Sequence, residues 1–151
     1  MVLLDAGPFG MVTNPRSSPG NEACKDWLAK LAAGGAEIVI PEIADYEVRR
    51  ELLRAGKAQG LGRLDALKGL LKYAPITTGV MLKAAEFWAA ARKAGRQSAE
   101  DAALDADMIL ASQAVALVRA GDETVIATTN VRHLGLSHPR DPGATSVFVR
   151  T

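Results

Sequence analysis

The chain has 151 residues, 48% hydrophobic and 23% charged, which predicts one globular domain over 1–151 and excludes a disordered or collagen-like chain. Eighteen Lys and Arg against seventeen Asp and Glu leave a net charge of +1, so no global field draws it to nucleic acid or lipid, and any such binding needs a local patch. One cysteine, Cys24, excludes an internal disulfide and a multi-thiol zinc cluster and fits a reducing compartment.

Val2, Leu3 and Leu4 form a short apolar run ended by Asp5-Ala6-Gly7-Pro8, the signature of a strand buried on both faces and closed by a turn. Ser18 before Pro19, with Gly34-Gly35 beyond, predicts a capped helix over 19–33. A second buried strand follows at Ile38-Val39-Ile40, and Pro41 opens a helix to about Ala55, stopped by Gly56. A shorter helix is predicted over 61–72 and a third strand over 74–77. Thr78 is positioned to cap a helix over 79–94, stopped by Gly95. Ser98 and Asp101 resemble a capping box opening an alanine-rich helix to about Ala120. Its longest apolar stretch, 109–118, is broken by Ser112 and Gln113 and falls short of the roughly 18 residues a membrane span needs. Strands over 124–128 and 146–149 close the chain, with a loop marked by Pro139 and Pro142 between them. Apolar strands alternating with helices predict a three-layer α/β sandwich with a central parallel sheet. No secretory signal opens the sequence, and the expectation is a cytoplasmic protein without membrane contact.

In open parallel sheets ligands bind beyond the carboxyl ends of the strands. Asp5 ends the first strand, Asn130 follows the strand over 124–128, Glu47 lies on the helix after the second strand, and Asp107 lies on the helix before the strand over 124–128. Clustered carboxylates repel one another unless a cation neutralises them, and hard oxygen ligands select Mg²⁺ or Mn²⁺. Each residue also has a structural role open to it: Asp5 as a turn residue, Glu47 as a helix-surface charge beside Arg50, and Asn130 as a cap for 131–134. Asp101 suits the capping box. Asp105 and Asp107 stand about 200° apart around a helix and cannot both face one site. Asp107 shares the apolar stripe of Leu104, Leu110, Ala111 and Ala114, where an acid is expensive without a partner. Asp107 is therefore taken for the metal, with Asp105 in reserve.

Leu3-Leu4-Asp5, Glu47 within 44–52, Asp105-Ala106-Asp107-Met108-Ile109-Leu110-Ala111 and Thr128-Thr129-Asn130-Val131-Arg132-His133-Leu134 together resemble the PIN domain, in its VapC-like branch. The resemblance runs through nearly the whole chain in order and spacing. It implies an Mg²⁺- or Mn²⁺-dependent endoribonuclease, and for many members a homodimeric toxin neutralised by a small cognate antitoxin. Carried over residue by residue, it makes Asp5, Glu47 and Asp107 the metal-binding acids, with Glu47 acting directly or through water. Asn130 takes a fourth catalytic position, orienting a water or a phosphate oxygen. The chain departs from the pattern at Ala6-Gly7, where a hydroxyl or amide residue often follows the first aspartate, and Asn130 lowers the site to three carboxylates. Because metal-bound water can ionise near neutral pH, no histidine base is required, and His133 and His138 are not assigned to catalysis.

RNA would have to be held locally. Arg50, Arg54 and Lys57 fall at successive turns of one helix, with Arg49 adjacent, a face equally suited to solvent or to phosphates. Two Trp, two Tyr and three Phe do not support extensive base stacking. Leucines over 61–71 offer either core or a groove for an antitoxin segment. A haloacid dehalogenase-type phosphatase needs a second acid where Gly7 stands, and no Gly-rich phosphate loop is present. The remaining alternative is a PIN-like module with weakened catalysis that binds RNA or protein.

Overall fold

In the computed structural model, which describes residues 1–94, 101–118, 124–129 and 147–150, the apolar runs become five strands: β1 (Val2–Leu4), β2 (Ile38–Pro41), β3 (Lys72–Ala74), β4 (Thr124–Ala127) and β5 (Val147–Arg150). Their spatial order is β3-β2-β1-β4-β5, and every neighbouring pair is parallel. The connections carry α1 (Ala6–Thr13), α2 (Pro19–Ala33), α3 (Glu42–Arg54), α4 (Ala58–Leu70), α5 (Thr78–Lys93) and α6 (Asp101–Leu117).

Strand side chains alternate between faces, and the sheet uses both. Leu3, Val39 and Ile126 pack against Leu110 and Ala114 of α6. Leu4, Ile38, Ile40 and Ala127 point the other way, onto Phe9 of α1, Leu28 of α2, Val48 of α3 and Leu64 of α4. Helix α5 packs on α6 through Ala84, Ala91, Leu104 and Met108. The result is the predicted α/β sandwich with a parallel sheet between helical layers. No helix among the described residues is long and apolar enough to cross a membrane.

Several boundaries follow their predicted caps. Ser18 accepts a hydrogen bond from the Asn21 amide at 3.2 Å with Pro19 next in the chain, and Gly56 past the end of α3 adopts φ +62°, a conformation that favours glycine. Other elements differ from expectation. Helix α1 was hidden by its composition: Asp5-Ala6-Gly7-Pro8 suits a turn, but Asp5 instead caps a helix, accepting from the Ala6 amide at 2.7 Å. Pro8 is tolerated there because the first helical turn has amides with no partner inside the helix. Helix α4 begins three residues early, β3 lies at Lys72–Ala74, and the cap of α5 is Thr77, whose side chain accepts from Val80. The capping box at Ser98, the stop at Gly121 and the loop at Pro139 and Pro142 lie outside the described residues. Among the leucines over 61–71, Leu64 is core, Leu67 and Leu71 pack on the same cluster, and Leu70 is exposed.

One buried charge fastens α3 to its neighbours. Asp45, 4% exposed, accepts from Arg49 at 3.0 Å, Lys68 at 2.8 Å and the Tyr73 hydroxyl at 3.2 Å. Arg49 reaches on to Asp65 of α4 at 2.7 Å. Removing the carboxylate leaves its partners without their shared acceptor, although Arg49 and Lys68 are about a third exposed and recover part of their hydration. Asp45→Ala should lower unfolding free energy by about 1–3 kcal/mol, read as a lower urea midpoint at unchanged slope.

Candidate active site

The chain leaves β1 into α1 on one face of the sheet and enters β4 from α6 on the other. Helices therefore diverge at the carboxyl ends of these adjacent strands, the switch point where open α/β sheets form a crevice. Asp5 stands at its floor. Its amide donates to Ala127 O at 3.0 Å, extending the β1–β4 ladder by one residue. One carboxylate oxygen accepts from the Ala6 amide and the other from the hydroxyl of Thr128, which is buried. The side chain is thus held from both strands.

Glu47 is half-buried on α3, with Arg50 at 3.8 Å. Burial pushes its pKa up, Asp5 and then Asp107 push it further, and Arg50 opposes them. Asp5 just past β1 and Asp107 of α6 thus both disfavour the charge on Glu47 of α3, which costs free energy as long as all are ionised. Asp107 is half-buried on the stripe that buries Leu104, Leu110, Ala111 and Ala114. Asp105 is exposed and lines an apolar hollow between α5 and α6 with Met81, Trp88 and Met108, on another side of the helix. Asn130, His133 and His138 lie outside the described residues.

The donor set suits a hard divalent cation in its chemistry: carboxylate oxygens, one of them energetically poor as an anion without a counter-charge. As the side chains stand, no group of three or more His, Cys, Asp or Glu among the described residues is close enough to hold a metal. The acids share a field rather than a coordination sphere.

The departure at Ala6-Gly7 has a spatial counterpart. A Cβ at position 7 would collide with the Thr129 hydroxyl, so any side chain there requires Thr129, just past β4, to shift. Two hydroxyls, Thr128 on Asp5 and Thr129 on Gly7, come from the neighbouring strand. Sequence reasoning missed both. Their only signal was a Thr-Thr pair ending an apolar strand, which ordinary strand propensity also explains.

Beside the acids, a groove of about 630 Å³ runs between α1 and α3. It begins at Glu47 and carries Arg50, Arg54 and Lys57 along α3, the face singled out in the sequence, and Arg16 from the α1–α2 loop.

The PIN domain model matches residues 2–134. The chain belongs to the PIN domain family. Among solved structures, its fold resembles VapBC2 from Rickettsia felis, solved bound to a DNA fragment from their promoter, with TM-score 0.70, 17% identity and 100% of each chain covered. It also resembles DNA-bound VapBC from Salmonella typhimurium, with TM-score 0.58, 16% identity and 98% of this chain and 96% of that one covered. No curated protein matches the sequence.

Two outcomes check this PIN-domain crevice. A raised carboxyl pKa means the folded state holds a proton that the unfolded state has released. The penalty is therefore absent below the ordinary glutamate value, grows as pH rises toward the raised folded value, and is complete above it. In EDTA, Glu47→Gln should raise the urea midpoint at pH 7, and the gain should vanish below about pH 4.3. Gly7→Ala should cost about 1–2 kcal/mol by overpacking, and adding Thr129→Ala should restore most of it. Additive losses in that double-mutant cycle would refute the contact.

Proposed function

We propose that this PIN domain, acting as a single domain over 1–151, is a divalent-metal-dependent endoribonuclease of the VapC-like type that hydrolyses RNA phosphodiester bonds. The observation that carries the reading is the PIN domain match over residues 2–134, with Asp5 held by the Ala6 amide and Thr128 at the sheet's switch point. A VapC-like protein would be the toxin of a pair, with a small cognate antitoxin as partner and a homodimer as its assembly. The likeness of the fold to two VapBC structures supports the toxin part of that reading. The place of action follows as the cytoplasm.

Asp5, Glu47 and Asp107 would hold Mg²⁺ or Mn²⁺. When bound, the ion supplies an activated water and stabilises charge developing on the scissile phosphate. The chain's own groups prepare that place. Thr128 and the Ala6 amide fix the orientation of the Asp5 carboxylate, so little freedom is lost when it engages a ligand. Asp107 and Glu47 bring negative charge from α6 and α3. Asn130, a proposed fourth catalytic group, orients a water or phosphate oxygen through its amide. Arg50 opposes the upward push on the Glu47 pKa.

Purified protein is incubated with structured and unstructured RNA in Mn²⁺, Mg²⁺ or EDTA, beside Asp5→Asn. Cleavage should require the metal and fall by about 100-fold or more in the variant, at or beyond the upper end of what disturbing a metal ligand's partners costs. Folded protein that neither cleaves RNA nor binds metal by calorimetry would move the assignment to a PIN-like binding module.

A further inference from the structure

The acids that would perform the chemistry repel a polyanion, and the net charge of +1 supplies no compensating field. Any RNA must therefore be gripped by a local cluster of cations near the acids. The α1–α3 groove offers one: Arg16, Arg50, Arg54 and Lys57 line it together with Glu47 and Glu51. Glu47, Arg50 and Arg54 belong to α3 and Lys57 lies just beyond its end, and Glu47 and Arg54 stand seven residues, about 10 Å, apart along the helix.

We propose that a single RNA strand lies in this groove with its phosphates on Arg16, Arg54 and Lys57, and that this path, rather than base recognition, provides most of the affinity for RNA. The inference rests on the nuclease reading and extends it to the means of holding substrate.

Neither Arg16 nor Lys57 has a carboxylate partner among the described residues, and both are exposed. Arg54 is paired with Glu51 at 2.7 Å, but the side chains are 76% and 55% exposed. Such a pair contributes little and exchanges readily for a phosphate. Arg16 is not on a loose loop. Its amide donates to the Asn14 side chain at 3.0 Å and its carbonyl accepts from Asn21 Nδ2 at 3.0 Å, and Asn21 is itself 8% exposed. The Arg16 backbone is therefore clamped on both sides, and the residue lines the groove together with Arg54 and Lys57. None of the described lining residues is aromatic, so bases have no stacking platform inside the groove, and contacts to phosphate carry no sequence information. An acidic protein segment would meet the same cations. Proximity to the carboxylates favours RNA, because there the groove leads a phosphodiester past Glu47.

The test measures binding apart from cleavage. Fluorescence anisotropy of a labelled single-stranded RNA is recorded in EDTA over a salt series for the wild type and for Arg16→Ala/Arg54→Ala/Lys57→Ala. Three phosphate contacts predict that the triple variant lowers the slope of log K against log salt by about 2, with urea midpoints compared to establish folding. The charge-keeping pair Arg16→Lys/Arg54→Lys should retain the slope, and sequences of different base composition should bind alike. Equal slopes for wild type and triple variant, or no RNA binding by either, would overturn the groove path. So would unchanged RNA binding beside poly-glutamate binding that the triple variant loses, which would give the groove to a protein segment. Because binding is read in EDTA, failure to cleave RNA in a separate Mn²⁺ or Mg²⁺ assay with the slope effect intact counts against the nuclease reading alone. Metal-dependent cleavage with no slope effect counts against the groove alone.

Discussion

The parallel pairing of β1 with β4 is the constraint on which the crevice depends. These strands are far apart in sequence, yet Val2, Leu3 and Leu4 sit in register with Val125, Ile126 and Ala127. The Asp5 amide continues that ladder onto Ala127. Because β2 lies on one side of β1 and β4 on the other, the connecting helices must part here, and a polar residue ending either strand faces an opening rather than a core. Asp5 and Thr128 are those residues, and each satisfies the other. A slip of one residue in this pairing would send Leu3 and Ile126 to the wrong helical layer, so the apolar core enforces the geometry of the polar end.

A stability conflict is the counterpart of that geometry. Glu47 is brought close enough to Asp5 and Asp107 for its charge to be disfavoured, while a few residues away Asp45 is surrounded by Arg49, Lys68 and Tyr73. Both acids stand on α3, one fully compensated and the other left dependent on Arg50 and on whatever enters the crevice. The compensated acid holds the helix against α4 and β3, and the other can then be destabilised without the helix shifting away. Carboxylates kept unneutralised by a rigid frame are in the condition in which a cation gains most from binding.

Much of this was legible in the residues. Continuous apolar runs such as Ile38-Val39-Ile40 can be buried only in a two-sided sheet, and Ser18-Pro19 with Gly34-Gly35 punctuates α2 unambiguously. The helical angle between Asp105 and Asp107 separated them correctly in space: the first faces the α5 side, the second the field of Glu47. What stayed hidden depended on contacts distant in sequence. Gly7 reads as turn chemistry until Thr129 is seen against it, and Asp5 serves as helix cap and strand-bridging acceptor together. Helix α1 was obscured because Gly7, Pro8 and Gly10 all argue against a helix by propensity. Burial of Phe9 against the α3 and α4 layer overrides them. Arg16 had no signal in the sequence, since its importance comes from the groove it faces and from the two asparagines that hold it.

The same helix joins the two halves of the proposed activity. Helix α3 carries Glu47 at one turn and Arg50 and Arg54 at the next two, all lining the groove, so its cations outnumber its acids with distance from the crevice. A chain with almost no net charge can bind a polyanion only if its charges are sorted in this way. Sorting also limits the grip: Glu47 and Glu51 stand among the cations, and each opposes the phosphate that its neighbour attracts. In the proposed activity, a strand held by few, exposed, salt-sensitive contacts would dissociate readily once cut, so weak holding beside a fixed Asp5 carboxylate would favour turnover over capture.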